Sequence, residues 1–141
     1  MAINVEFLGD GDDGFEEAKA QSLAWLDEHA HQFGVVWNQQ PFVLRSHRDG
    51  EIVGVLYGYI NLSWLHVSYL ATHPEARRSG DGKALMARAE AYERSQHCVG
   101  IWLDTYDFQG PDYYPRLGYA ECGRIEDFPP GRTRLFFSKR L

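Results

Sequence analysis

Residues 73–85 read His-Pro-Glu-Ala-Arg-Arg-Ser-Gly-Asp-Gly-Lys-Ala-Leu. Arg77, Arg78 and Lys83 gather positive charge around two glycines, Gly80 and Gly82. Glycine lets backbone approach a ligand, and the first N–H groups of a helix have no intrahelical partner. If a helix opens here, those groups and its dipole form an anion site suited to a diphosphate. A Walker loop needs G-x-x-x-x-G-K-[ST]. Here Arg77 stands at the first glycine and Ala84 at the Ser/Thr position. A dinucleotide G-x-G-x-x-G also fails, because Leu85 takes the third glycine's place. The pattern [QR]-x-x-G-x-[GA] fits as Arg77-x-x-Gly80-x-Gly82. The plainer alternative is a helix start with a glycine-rich entry.

Two other clusters carry less. His29 and His31 would point to different helix faces, which argues against a metal pair. Asp10-Gly11-Asp12-Asp13-Gly14 has the wrong ligand spacing for calcium. No metal site is expected.

The elements around the loop follow from hydrophobic period. Ala2–Leu8 alternates as a first strand. Asp13 and Glu16 resemble a capping box for a helix fading near Phe33-Gly34. Strands are predicted at Pro41–His47, Glu51–Ile60 and Trp64–Thr72, an antiparallel meander turning at Arg48-Asp49-Gly50 and Asn61-Leu62-Ser63. Pro74 breaks the pattern. A helix follows over Gly80 to about Arg94, with Leu85, Ala89 and Tyr92 on one face. Val99–Leu103 is a short strand, Asp112–Leu117 a short helix ended by Gly118, and Tyr119–Ile125 and Thr133–Arg140 are strands. The helix between strands 64–72 and 99–103 is a crossover, so those two should be parallel. The expected class is α/β, a mixed and mostly antiparallel sheet of six to seven strands flanked by helices. Residues 1–141 read as a single domain.

The formal net charge of −6 argues against nucleic-acid or anionic-membrane binding and suits a cationic acceptor. No apolar run reaches the length of a membrane span, and the N-terminus lacks signal-peptide features. Cys98 and Cys122 fit no CxxC pattern and read as reduced thiols. A cytoplasmic location is expected.

The segment from about Trp64 to Leu141 resembles the GNAT acetyltransferase superfamily, in particular small bacterial members. Leu70-Ala71-Thr72-His73-Pro74 is similar to the strand end before that family's diphosphate loop, and Arg77 to Gly82 matches the loop. The run from Asp107 to Tyr119 resembles the segment F-Y-x-K-L-G-[FY]. Gly123 to Gly131 and Lys139-Arg140-Leu141 resemble the tail of one bacterial subgroup. Three departures stand out. Asp81 puts a carboxylate in a phosphate loop and is expected to point outward. Pro115 falls inside a short helix, and Gln109 stands near a position where many members carry Asn.

The resemblance implies direct acetyl transfer from acetyl-CoA, the co-substrate, to an amine. It implies that Leu70, Ala71 and Thr72 pair with the pantetheine arm, beside a slot where the parallel strands splay. Arg77, Arg78, Ser79, Gly80, Asp81, Gly82 and Lys83 would hold the diphosphate, with Gln109 nearby. A backbone N–H near Ala71 or Thr72 would steady the oxyanion. Tyr114 takes the position of a general acid toward the thiolate, although it also belongs to an aromatic cluster with Tyr113 and Tyr119. His66 takes a position that often supplies the base, and an imidazole titrating near pH 6.5 suits it; a hydrogen-bonded core histidine is the alternative. Trp25, Trp37, Tyr57 and Trp64 are candidates for an acceptor pocket, and Asp104 and Asp107 for attracting the amine. A homodimer is common among relatives. Rival readings are a non-catalytic acyl-CoA-binding module, transfer of a longer acyl group, and nucleotide binding.

Overall fold

The computed structural model describes residues 2–141. The chain separates into two compact units, one ending at Trp37 and one spanning Asn38–Leu141. In the first, helix α1 covers Phe15–His31. Its expected capping box does not form. Gly14 is the N-cap, in a left-handed conformation with no side-chain cap bond, while the Asp12 carboxylate accepts from the Gly9 N–H instead at 2.7 Å. Residues 2–8 form no strand, contrary to the alternation of Ile3, Val5 and Phe7. Alternation marks a face but does not supply the ladder partner that a strand needs.

The second unit is one six-stranded sheet. Its strands are β1 (Gln40–Arg48), β2 (Glu51–Asn61), β3 (Trp64–Thr72), β4 (Gly100–Tyr106), β5 (Ala120–Glu126) and β6 (Thr133–Arg140). The order is β1-β2-β3-β4-β6-β5. All neighbours are antiparallel except β3 and β4. That parallel pair needs a crossover, which α2 (Asp81–Ser95) provides after a 3-10 turn at Pro74–Ala76. Helix α2 buries Leu85, Met86 and Ala89 at helical spacing, with Tyr92 partly buried beside them. They close a core with Leu56, Leu65, Val67, Ile101, Leu103 and Phe137 from the sheet. This seam fixes the start of α2 against the end of β3.

A short helix, α3 (Tyr113–Arg116), follows β4. Pro115 lies in its first turn, where a missing N–H leaves no intrahelical bond unmade. Among the described residues, no cluster of three or more His, Cys, Asp or Glu is suited to a metal, and no helix is long and apolar enough to cross a membrane.

Candidate functional site

The parallel ladder between β3 and β4 is short. It pairs Trp64 with Gly100 through Val67 with Leu103, and then stops. Beyond it β3 still pairs with β2 out to Thr72, and β4 with β6 out to Tyr106. Two strand edges therefore face each other with their backbone groups unclaimed. The slot between them has a volume of 680 Å³. Residues 68–72 form one wall, residues 103–105 the other, and Phe108, Gln109 and Tyr114 close the end.

A bulge shapes the β3 wall. Tyr57 opposes Tyr69 and Gly58 opposes Val67, so Ser68 is the extra residue. Bulges re-aim side chains, and Ser68 lines the slot. The bulge brings the β3 backbone close to β2 at Gly58. A Cβ on Gly58 would overlap the carbonyl oxygen of His66.

A second cavity of 400 Å³ surrounds the loop before α2 and shares Leu70, Thr72, Arg77, Gln109 and Tyr114 with the slot. Arg78 and Gly80 take left-handed backbone conformations, φ 64° and 90°. Gly80 serves that conformation, since nothing lies near a Cβ there. Gly82 serves space, because a Cβ would sit 3.1 Å from the Tyr113 hydroxyl. That hydroxyl is buried and has no hydrogen-bond partner among the described residues, and Tyr113 lines the loop cavity. The first intrahelical bond of α2 runs from the Ala84 N–H to the Gly80 carbonyl. The N–H groups before it have no intrahelical partner.

The Asp81 carboxylate does not point outward. The residue is buried at 7% exposure, and its Oδ2 accepts from Arg48 Nε at 3.0 Å and lies 2.9 Å from Ser79 Oγ. Arg48 also donates to the Ser79 carbonyl at 2.8 Å. The end of β1 thus braces the loop and neutralises the carboxylate that would repel phosphates. The hydrogen bond from Arg48, then that from Ser79, holds the Asp81 carboxyl below the usual carboxylate range. A carboxyl depressed on folding stabilises the fold above its unfolded pKa, and this is lost as pH falls through the folded value. Thermal melts should therefore drop more steeply below pH ~4 in the native chain than in Arg48→Met. Equal pH dependence in the two would contradict the brace.

Ser79 itself lines neither slot nor loop cavity. Its hydroxyl is occupied by Asp81 and the Ala76 carbonyl. Leu70, Ala71, Thr72, Arg77, Arg78, Gly80, Asp81, Gly82, Lys83 and Gln109 all line one cavity or the other. Gln109 accepts from the Tyr106 N–H at 3.3 Å, which fastens the turn after β4.

Tyr114 lines both cavities. Its ring packs against those of Tyr113, Tyr119 and Phe137. Burial, with smaller contributions from Tyr113 and Asp104, pushes its phenol up to about 12.

His66 is 8% exposed and does not line the slot. Its ring lies between those of Tyr59 and Trp102, at 5.0 and 4.0 Å between centroids. Nδ1 is 3.0 Å from Ser68 Oγ, and Nε2 is 3.5 Å from Asp104 Oδ1. Burial lowers the imidazole pKa below 6.5, and Asp104 opposes the shift. The ring therefore stays neutral to lower pH than a free histidine.

The acceptor residues expected from sequence are placed differently. Trp64 sits under the Arg140 guanidinium, and Tyr57 stacks on Tyr69. Neither lines the slot, whose lip carries Tyr69 and Phe108 instead. Trp25 and Trp37 belong to the N-terminal unit. Asp104 lines the slot but accepts from Arg134 Nε at 2.8 Å. Asp107 Oδ2 accepts from the Thr133 N–H at 3.1 Å, and its Oδ1 lies 3.9 Å from Arg132. Neither is an unpaired carboxylate awaiting an amine.

A model of the acetyltransferase (GNAT) family matches residues 9–119. Blasticidin-S acetyltransferase of Streptomyces morookaense is 43% identical over 93 residues, 65% of this chain and 68% of that one. A crystal structure of an acetyltransferase from Bacillus cereus superposes with a TM-score of 0.83 at 27% identity, covering 96% of this chain and 98% of that one. A Bacillus anthracis structure solved with acetyl coenzyme A shares the fold at a TM-score of 0.67 and 15% identity, covering 72% and 63%. A sheet opened at its one parallel pair, a glycine loop leading into the crossover helix, and these likenesses agree: the chain belongs to the GNAT family of acetyltransferases.

Proposed function

We propose that the protein transfers the acetyl group of acetyl-CoA directly to an amine of a small cationic acceptor. The observation that carries the reading is the pair of unclaimed strand edges beyond Val67 and Leu103, opening onto a loop of free N–H groups. An extended ligand with amide groups adds to such an edge as a strand would. Pantetheine has that character, and its diphosphate would fall at the start of α2 among Gly80, Gly82 and Lys83. Leu70, Ala71 and Thr72 would hold the arm, and a β3 N–H near Ala71 or Thr72 would donate to the oxyanion. One well-aimed donor lowers the barrier by about 3 kcal/mol.

Tyr114, at the junction of the two cavities, would donate to the departing thiolate, and His66 would take the proton of the acceptor. Net charge and the name of the Streptomyces relative support a cationic acceptor. Blasticidin S is the first compound to assay, beside a panel of polyamines, amino acids and lysyl peptides. The assay reads free thiol released from acetyl-CoA, succinyl-CoA and longer thioesters. Acceptor-dependent release that is fastest with acetyl-CoA is expected. Binding of coenzyme A with no turnover on any acceptor would leave a binding module instead, and protection by ATP without protection by coenzyme A would favour a nucleotide site.

The unpartnered Tyr113 hydroxyl supports the same ligand. It faces the Gly82 backbone and would donate to a diphosphate oxygen. Tyr113→Phe should weaken coenzyme A about tenfold, the value of one hydrogen bond of about 1.5 kcal/mol, without changing kcat. Gly82→Ala should cost less when combined with Tyr113→Phe than in the native chain, because the clash is with the hydroxyl. Purely additive effects on the dissociation constant would separate the two residues.

A further inference from the structure

Ser68, His66 and Asp104 come from two strands and meet beside the slot, with Ser68 and Asp104 lining it and His66 buried behind them. Ser68 lines the slot at the bulge, and its hydroxyl lies 3.0 Å from His66 Nδ1. Nε2 on the far side of the ring is 3.5 Å from Asp104 Oδ1, while Asp104 Oδ2 accepts from Arg134 Nε at 2.8 Å. The Arg134 guanidinium is in turn held over Phe128, Phe136 and Tyr106, at 4.9, 5.4 and 5.6 Å. The imidazole has no opening of its own onto the slot, and its Nε2 is buried, with Asp104 just beyond full hydrogen-bond geometry. A base so enclosed reaches the acceptor through a neighbour; of the two that line the slot, Asp104 is taken up by Arg134, and Ser68 carries a hydroxyl able both to accept and to donate a proton.

We propose that Ser68 relays the acceptor's proton to His66 and that Asp104, pinned by Arg134, fixes the imidazole tautomer that makes this possible. The inference rests on the acetyl-transfer reading and adds the route of the proton. With Nε2–H directed at the Asp104 carboxylate, Nδ1 carries the lone pair that accepts from the Ser68 O–H. An ammonium acceptor gives one proton to Ser68 Oγ as the serine's own proton passes to Nδ1. The products of that step are a neutral amine, an intact serine and an imidazolium facing Asp104. The amine nitrogen then bonds to the acetyl carbon and the C–S bond breaks. The second proton shed by nitrogen ends on sulfur by way of the Tyr114 hydroxyl, and the imidazolium returns its proton to solvent through Ser68 once the product has left. No oxidant or further reactant is needed. Ser68 thus touches the acceptor, while Asp104 acts through His66 as a positioning residue.

The charged and titratable groups around the ring are Asp104 from β4, Arg134 from β6 and Tyr59 from β2. Nitrogen-detected NMR of the ligand-free protein should show His66 as the Nε2–H tautomer above its pKa, and Asp104→Asn should redistribute it. Ser68→Ala should take up coenzyme A as the native chain does, yet lose about ten- to hundredfold in kcat at neutral pH. That deficit should shrink at a pH above the acceptor's own pKa, where no proton remains to be relayed, and Ser68→Thr should recover most of the rate. An Nδ1–H tautomer in the native chain, or an unchanged kcat in Ser68→Ala, overturns the relay while leaving acetyl transfer in place. Acetylated Ser68 after incubation with acetyl-CoA alone overturns it in favour of a serine nucleophile. Failure of the native chain to take up coenzyme A overturns the parent reading, and the relay with it.

Discussion

Replacing Tyr114 by phenylalanine is expected to lower kcat about ten- to hundredfold while leaving coenzyme A affinity unchanged. The ring would keep its packing against Tyr113, Tyr119 and Phe137, so only the hydroxyl is lost. At about 12, that phenol is a much weaker acid than an ordinary thiol near 8.5. Complete transfer of its proton to a free thiolate is uphill on its own. What the hydroxyl would supply first is a charge-assisted hydrogen bond to sulfur as negative charge develops, worth about 1.5–3 kcal/mol. Transfer would be completed only because nitrogen sheds a proton in the same reaction. The rate loss should therefore be largest with acetyl-CoA and smaller with a thioester whose thiol is more acidic. Steady-state kinetics with both thioesters checks this. Equal losses would remove Tyr114 from the leaving-group side, and an unchanged kcat would remove it from the reaction.

Gly58→Ala is expected to be costly for stability and for turnover together. The added methyl would run into the His66 carbonyl, which is backbone and cannot swing aside. Forcing extra volume into a packed site costs about 1–3 kcal/mol. The strain falls on the bulge that sets Ser68 into the slot and His66 beneath it. A fall in kcat exceeding any change in coenzyme A affinity is predicted, with thermal denaturation reading the stability. Native stability, or a defect confined to coenzyme A binding, would contradict the role assigned to the bulge.

Much of this site is legible in the chain because its signals are local. The change from alternation over Trp64–Thr72 to helical spacing after Gly80 marks the strand, loop and crossover helix, and the crossover fixes the parallel pair. Gly80 and Gly82 announce the loop within three residues. Features that depend on distant partners are not visible in the same way. Arg48 is 33 positions from Asp81, so nothing near Asp81 shows that its charge is neutralised. Ser68 looks like an ordinary alternating strand residue, since a bulge is defined by its partner strand. Asp104 and Asp107 read as free carboxylates until Arg134, Thr133 and Arg132 are placed beside them. The aromatic residues misled for the same reason. Trp64 has the composition of a pocket residue, but sheet geometry sets Tyr69 and Phe108 at the slot and Trp64 under Arg140. Asp13 and Glu16 have capping-box spacing, yet Gly14 takes the cap and Asp12 turns back to Gly9.

Acetyl-CoA is proposed to occupy the opened edge between β3 and β4. Amide hydrogen exchange, followed residue by residue with and without coenzyme A, tests it most directly. Slowed exchange is expected in Ser68–Thr72 and at Gly80–Lys83, with the already paired Trp64–Val67 ladder unchanged. Protection confined to other segments, or none at millimolar coenzyme A, would contradict it.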